Sequence, residues 1–273
     1  MGREVTSDTE GEQMKTAWTP CTAALLAALF LGALARGAES DPKVSDLRVG
    51  GDKDKRYFLF GPGKGAKAPA AGYGLVVVLP GGEGGADFRP FVGAISTKAL
   101  PQGYLVAQPV AVQWTAGQEI TWPTKKDPAQ KMKFTTEEFV EAVIKDVGKK
   151  HRLDPKRVFT LSWSSGGPAA YAVSLSPKTA VRGSLVAMSV FLPKKLPPLT
   201  NARGHAYYLL HSPEDDVCRV FFARWARNAL GQNKARVTLE TYDGGHGWHG
   251  DYFGQIRKGI RWLEKHSGRK ADK

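Results

Sequence analysis

Seven short apolar runs recur along the chain, and most of them do not alternate with polar residues. Tyr57 to Phe60, Gly74 to Leu79 (GLVVVL), Tyr104 to Gln108, Val158 to Trp163, Ser184 to Val190, Tyr207 to His211 and Val237 to Tyr242 each have the length of a strand. Stretches such as VVVL, VFTL and YYLL are apolar almost throughout, the pattern of strands covered on both faces. Between them the period lengthens. Thr135-Thr136-Glu137-Glu138 reads as a capping box, and Phe139, Val143 and Val147 follow at helical spacing up to Gly148. Further helices are expected from Ser165 to about Ser174, Asp216 to Leu230 and Gly250 to His266. Strand followed by helix, repeated, predicts an α/β chain with a mostly parallel central sheet and helices on both faces.

The stretch from Val110 to Lys133 breaks the pattern. It has no clear period and is long for a connection in a compact domain, which points to a binding role. Its Trp114 and Trp122 either line a cleft for a planar or sugar-like substrate or plug the stretch onto the body.

The apolar run Cys21 to Ala35 (CTAALLAALFLGALA) is too short for a comfortable membrane span and suits a secretory signal, with Ala33 and Ala35 as an AxA-like cleavage pattern. Met14 is the start codon residue that best fits such a signal. Residues 1–38 are therefore expected to be an N-terminal extension with signal peptide, 39–273 a single domain, and the mature protein secreted or periplasmic without a stable membrane span. Their removal moves the net charge of +13 up by one unit, so the mature chain is strongly basic. Such a charge favours contact with anionic envelope surfaces. The basic residues are scattered and no nucleic-acid motif accompanies them, which argues against nucleic-acid binding. Cys218 is left without a partner cysteine; in the helical pattern VCRVFFARWARNAL it reads as a buried structural thiol.

Chemistry enters at Ser162-Trp163-Ser164-Ser165-Gly166. The pentapeptide joins a strand to a helix, where a GxSxG nucleophile elbow would sit, with Ser162 in the place of the first glycine and Ser164 as nucleophile. A strand-to-helix turn of Ser and Gly is also ordinary capping chemistry, and the two readings part on whether an acid and a histidine come later in the right order. An acid loop, Ser212-Pro213-Glu214-Asp215-Asp216, follows the strand ending at His211. A histidine loop, Asp243-Gly244-Gly245-His246-Gly247-Trp248, follows the strand ending at Tyr242. The order Ser, acid, His is that of an α/β-hydrolase triad. Asp215 is preferred over Glu214 and over Asp216, which could cap the next helix; His246, between glycines, is preferred over His249. His211 reads as a structural histidine at a strand end, and His151, His205 and His266 as surface residues. The loop Leu79-Pro80-Gly81-Gly82-Glu83-Gly84-Gly85 could place a backbone N–H of Gly82, or of Glu83 if shifted by one, beside that of Ser165 as an oxyanion hole. No Lys-Ser or Lys-Thr closes it as a phosphate loop would require. Trp163, inside the elbow, joins Trp114 and Trp122 as a substrate-contact candidate.

The pieces VVVLPGGEGG, LSWSSGG, LLHSPEDDV and YDGGHGW together resemble the α/β-hydrolase superfamily, and more narrowly secreted esterases of the poly(3-hydroxybutyrate) depolymerase and feruloyl esterase type. The resemblance covers nearly all of the chain after about Tyr57. That family commonly has His-Gly where this chain has Pro80-Gly81, and Gly where it has Ser162. The resemblance implies an α/β-hydrolase fold without a large lid domain, and hydrolysis of small or polysaccharide- or polyester-linked esters through an acyl-enzyme, with no metal or organic cofactor. A prolyl oligopeptidase-type peptidase, or a hydrolase-like envelope protein without catalysis, are the alternatives.

Overall fold

The computed structural model describes residues 43–62 and 67–267. The signal-peptide reading and Cys21 lie outside the described residues. Eight strands form one sheet: β1 (Val44–Arg48), β2 (Arg56–Phe60), β3 (Tyr73–Leu79), β4 (Tyr104–Pro109), β5 (Leu153–Trp163), β6 (Gly183–Ala187), β7 (Ala206–His211) and β8 (Arg236–Thr241). Their spatial order is β1-β2-β4-β3-β5-β6-β7-β8. Only the first two pairings, β1 with β2 and β2 with β4, are antiparallel; the rest are parallel.

Helices α1 (Arg89–Lys98) and α5 (Tyr252–His266) cover one face, and α2 (Thr136–Lys150), α3 (Gly167–Ser174) and α4 (Phe221–Gln232) the other. The apolar run of β3 serves both: Leu75, Val77 and Leu79 pack under α2 and α3, while Val76 and Val78 pack with Val92 and Ile95 of α1 and Ile256 and Ile260 of α5. Alternate side chains of one strand thus enter two cores, which is why the run needs no polar positions. The capping box of α2 is formed, with Glu138 N–H donating to Thr135 Oγ1 and Thr135 N–H to Glu138 Oε2.

Two elements escaped the hydrophobic pattern. β1 is a half-exposed edge strand whose Asp46 pairs with Arg56, and α1 buries only Val92 and Ile95. Three boundaries also move by three residues or more, and the first is β5, which begins at Leu153 instead of Val158. β6 ends at Ala187, because Met188 turns the chain at φ +39. The fourth helix begins at Phe221, not at Asp216, and Cys218 therefore sits in a loop, although it is buried. Burial pushes its thiol up to about 12, so it carries no thiolate at neutral pH. Among the described residues no helix is long and apolar enough to cross a membrane.

His205 is a further correction. It is half-buried, with Nδ1 lacking a hydrogen-bond partner, and burial followed by the nearby Arg182 charge lowers its pKa from 6.5 to about 4. An unfolded histidine takes a proton near pH 6.5 that the folded one refuses, so its contribution to stability is intact above that pH and is lost as pH falls toward 4. Melting temperature is expected to fall from pH 6.5 to pH 5, and His205→Gln to make that slope shallower; an unchanged slope would place the acid sensitivity elsewhere.

Candidate active site

The parallel register aligns the C-terminal ends of the strands that lead into the candidate loops. Leu79 of β3 lies beside Ser162 of β5, Trp163 beside Ala187 of β6, Ala187 beside Leu210 of β7, and His211 beside Thr241 of β8. The loops that follow β3, β5, β7 and β8 therefore meet at one edge.

At the elbow, Ser164 has φ +50, a conformation that costs a non-glycine residue about 1–3 kcal/mol and that persists where the surroundings enforce it. Those surroundings are tight. A Cβ at Gly166 would stand 2.1 Å from the Leu79 carbonyl oxygen, so only glycine lets the start of the helix pass this close to β3. Ser162, fully buried, fits the first-glycine position by turning its Oγ toward the Leu185 carbonyl, at 3.4 Å. The Ser164 carbonyl accepts a 2.6 Å hydrogen bond from Ser189 Oγ.

Ser164 Oγ lies 3.0 Å from His246 Nε2, and His246 Nδ1 lies 2.9 Å from Asp215 Oδ2. With the imidazole proton on Nδ1, Ser164 donates to Nε2 and Nδ1–H donates to the carboxylate. Asp215 is buried, and its other oxygen accepts the N–H groups of Val217 (3.0 Å) and Cys218 (2.7 Å). Those two bonds have the pattern of a helix N-cap, yet the chain runs on as a loop and α4 begins only at Phe221. Asp216 is exposed and caps nothing. Glu214 joins two loops instead of serving the histidine. Its Oε2 accepts the Gly244 N–H at 2.7 Å, tying the acid loop to the histidine loop. Tyr242 Oη, donating to the Gly247 carbonyl at 2.8 Å, fixes the far side of the same loop. His249 is exposed and stacks on Tyr242. His211 is buried and donates from Nε2 to the Cys218 carbonyl, 3.4 Å from Asp215 Oδ2; burial lowers its pKa and keeps it neutral.

The glycine-rich loop is held by hydroxyls that the sequence did not single out. The Gly82 carbonyl accepts from Thr121 Oγ1 at 2.7 Å and from Ser165 Oγ at 2.8 Å. Gly82 itself sits at φ +56. Because every peptide here is trans, fixing that carbonyl on Ser165 directs the Glu83 N–H away from it. Trp122 is buried and donates from Nε1 to the Pro80 carbonyl at 2.9 Å, so it supports this loop from beneath and does not form an open wall. Trp114 packs edge-on against Phe134. The segment around it also holds a cleft of about 390 Å³ lined by Thr115, Gln118, Glu119 and Gln130, among others, and none of Ser164, Asp215, His246 or the glycine-rich loop lines it. Trp163 is buried beside Ser164 in an aromatic cluster with Phe88, Phe91 and Trp248. Thr121, the Ser165 hydroxyl, Trp122 Nε1 and Glu214 all act across more than 25 residues of sequence, and no local pattern marks such contacts.

Neither a protein-family model nor a curated protein matches the sequence. Solved structures do match in shape. A carboxylesterase from Bacillus cereus superposes with a TM-score of 0.57 at 16% identity, over 77% of this chain and 93% of its own. An α/β-hydrolase enzyme from a Medee basin deep-sea metagenome library gives 0.59 at 13% identity, over 82% and 98%. The fold is that of an α/β-hydrolase. A truncated carbohydrate esterase from gut microbiota gives 0.62 at 12% identity, over 84% and 99% of the two chains. Among the described residues no group of three or more His, Cys, Asp or Glu side chains is placed to hold a metal ion.

Proposed function

We propose that this α/β-hydrolase is a serine esterase that cleaves carboxylic esters through an acyl-enzyme. The observation that carries the proposal is the unbroken line from Ser164 Oγ through His246 to the buried Asp215. As Ser164 Oγ bonds to the ester carbonyl carbon, His246 Nε2 takes its proton and Asp215 stabilises the imidazolium. The tetrahedral oxyanion is met by the N–H groups of Ser165 and Gly82; the pinned Gly82 carbonyl favours that choice over Glu83. Collapse expels the alcohol with the proton from His246, and water reverses the sequence to free the acid.

Polymer-linked esters of the feruloyl or hydroxybutyrate type follow from the sequence resemblance, and the aromatic residues around Trp163 support an apolar acyl group. The signal-like N-terminus supports export to the periplasm or medium. The test is a fluorophosphonate probe followed by peptide mapping, with a panel of acetyl, feruloyl and hydroxybutyrate p-nitrophenyl esters. A single label on Ser164 and turnover of at least one ester are expected. Folded protein that takes no label, or that cleaves peptide amides and no ester, would sink the reading.

A further inference from the structure

The acid loop leads into a helix whose outer surface the triad does not use. Val217, Phe221 and Trp225 are 66%, 59% and 41% exposed, although large apolar side chains seldom stand so free. Along α4 the positions i, i+3, i+4 and i+7 are Phe221, Arg224, Trp225 and Asn228, all exposed, whereas Ala223, Ala226 and Leu230 face the core. The Phe221 and Trp225 rings lie 5.7 Å apart, and Trp225 rests edge-on against buried Phe191 at 5.8 Å, which holds it in place. From Val217 to Leu230 there are three arginines, no lysine and no acid, in a chain that otherwise has more lysines than arginines. Among the described residues none of Arg219, Arg224 and Arg227 forms an ion pair.

We propose that this face binds a carboxylated polysaccharide, a polymer of uronic acids. Two adjacent exposed rings offer flat apolar surface for the apolar faces of sugar rings. Arginine is the cation whose planar fork grips a carboxylate with two hydrogen bonds, and the amide of Asn228 both donates to and accepts from hydroxyls. A membrane surface would draw on charge without distinguishing arginine from lysine. The face follows the acid loop directly in the chain, since the Val217 N–H holds Asp215. That this polymer carries the scissile ester rests on the esterase reading; the binding does not.

The test is affinity electrophoresis of the full chain through gels containing polygalacturonate, with neutral xylan gels and phosphatidylglycerol vesicles as further arms. Wild type and Ser164→Ala are expected to be retarded equally by polygalacturonate, so that loss of catalysis and loss of binding are told apart. Phe221→Ala/Trp225→Ala and Arg224→Gln should each weaken retention by about 10-fold with an unchanged melting temperature, and Arg224→Lys should restore little of it. No retention of wild type, retention that the aromatic pair does not alter, or full rescue by Arg224→Lys would overturn the proposal. So would vesicle binding that the variants abolish while polygalacturonate retention survives.

Discussion

Ser164→Ala is expected to lower kcat for a p-nitrophenyl ester by about 10⁴–10⁶-fold, the range seen when a triad nucleophile is removed and only the oxyanion donors remain. Folding should be spared. The Ser164 hydroxyl meets His246, while the Ser189 bond that anchors the elbow goes to the backbone carbonyl, which alanine keeps. Ser165→Ala is the matched comparison. It loses a hydroxyl that pins the Gly82 carbonyl, a bond worth about 0.5–1.5 kcal/mol, and Thr121 still holds the same oxygen. Its kcat should therefore fall by about 10-fold or less. Should Ser165→Ala be the inert variant and Ser164→Ala the active one, the elbow would be out of register by one residue.

Gly166→Ala is expected to have the largest effect on folding. The added methyl would meet the Leu79 carbonyl at 2.1 Å, and this is backbone at the centre of the sheet, which cannot turn aside as a side chain could. Overpacking of this kind costs about 3 kcal/mol or more when nothing yields, which in a domain of this size lowers the melting temperature by roughly 6–12 °C. Relief by separating α3 from β3 would also pull Ser165 away from the glycine-rich loop, so activity should drop further than stability alone explains. Gly231→Ala, in α4 with nothing within 4 Å of the added Cβ, should be neutral or slightly stabilising. A thermal melt of both variants, with kcat measured well below the transition, decides the matter; equal melting temperatures would refute the close-approach argument.

The sheet was legible in the chain because its central strands are buried on both faces, and GLVVVL or YYLLH leaves little choice of environment. The order of elbow, acid loop and histidine loop was legible because each follows such a strand. Asp215 was preferred among three neighbouring carboxylates, but the reason it turns inward was not legible. Glu214, Asp215 and Asp216 are alike in sequence, and the distinction comes from a local turn in which Val217 and Cys218 point their N–H groups at one side chain. The pattern VCRVFFARWARNAL suggested a helix from Asp216, and Asp215 accepts the N–H groups of Val217 and Cys218 as an N-cap would, but the helix begins only at Phe221. α1 was missed for a different reason. Its Pro90, Gly93 and small apolar stripe give a weak period, and it is held by packing against β4 and α5.

The segment between β4 and α2 touches the glycine-rich loop at three points: Trp122 on the Pro80 carbonyl, Thr121 on the Gly82 carbonyl, and the Ala111 N–H on the Gly84 carbonyl at 3.0 Å. A graft of this segment into another protein of this fold would therefore transplant half of a mechanical joint. Recombination breakpoints that keep residues 80–85 and 110–122 together preserve a working unit, and those that fall between them part a bearing from its shaft.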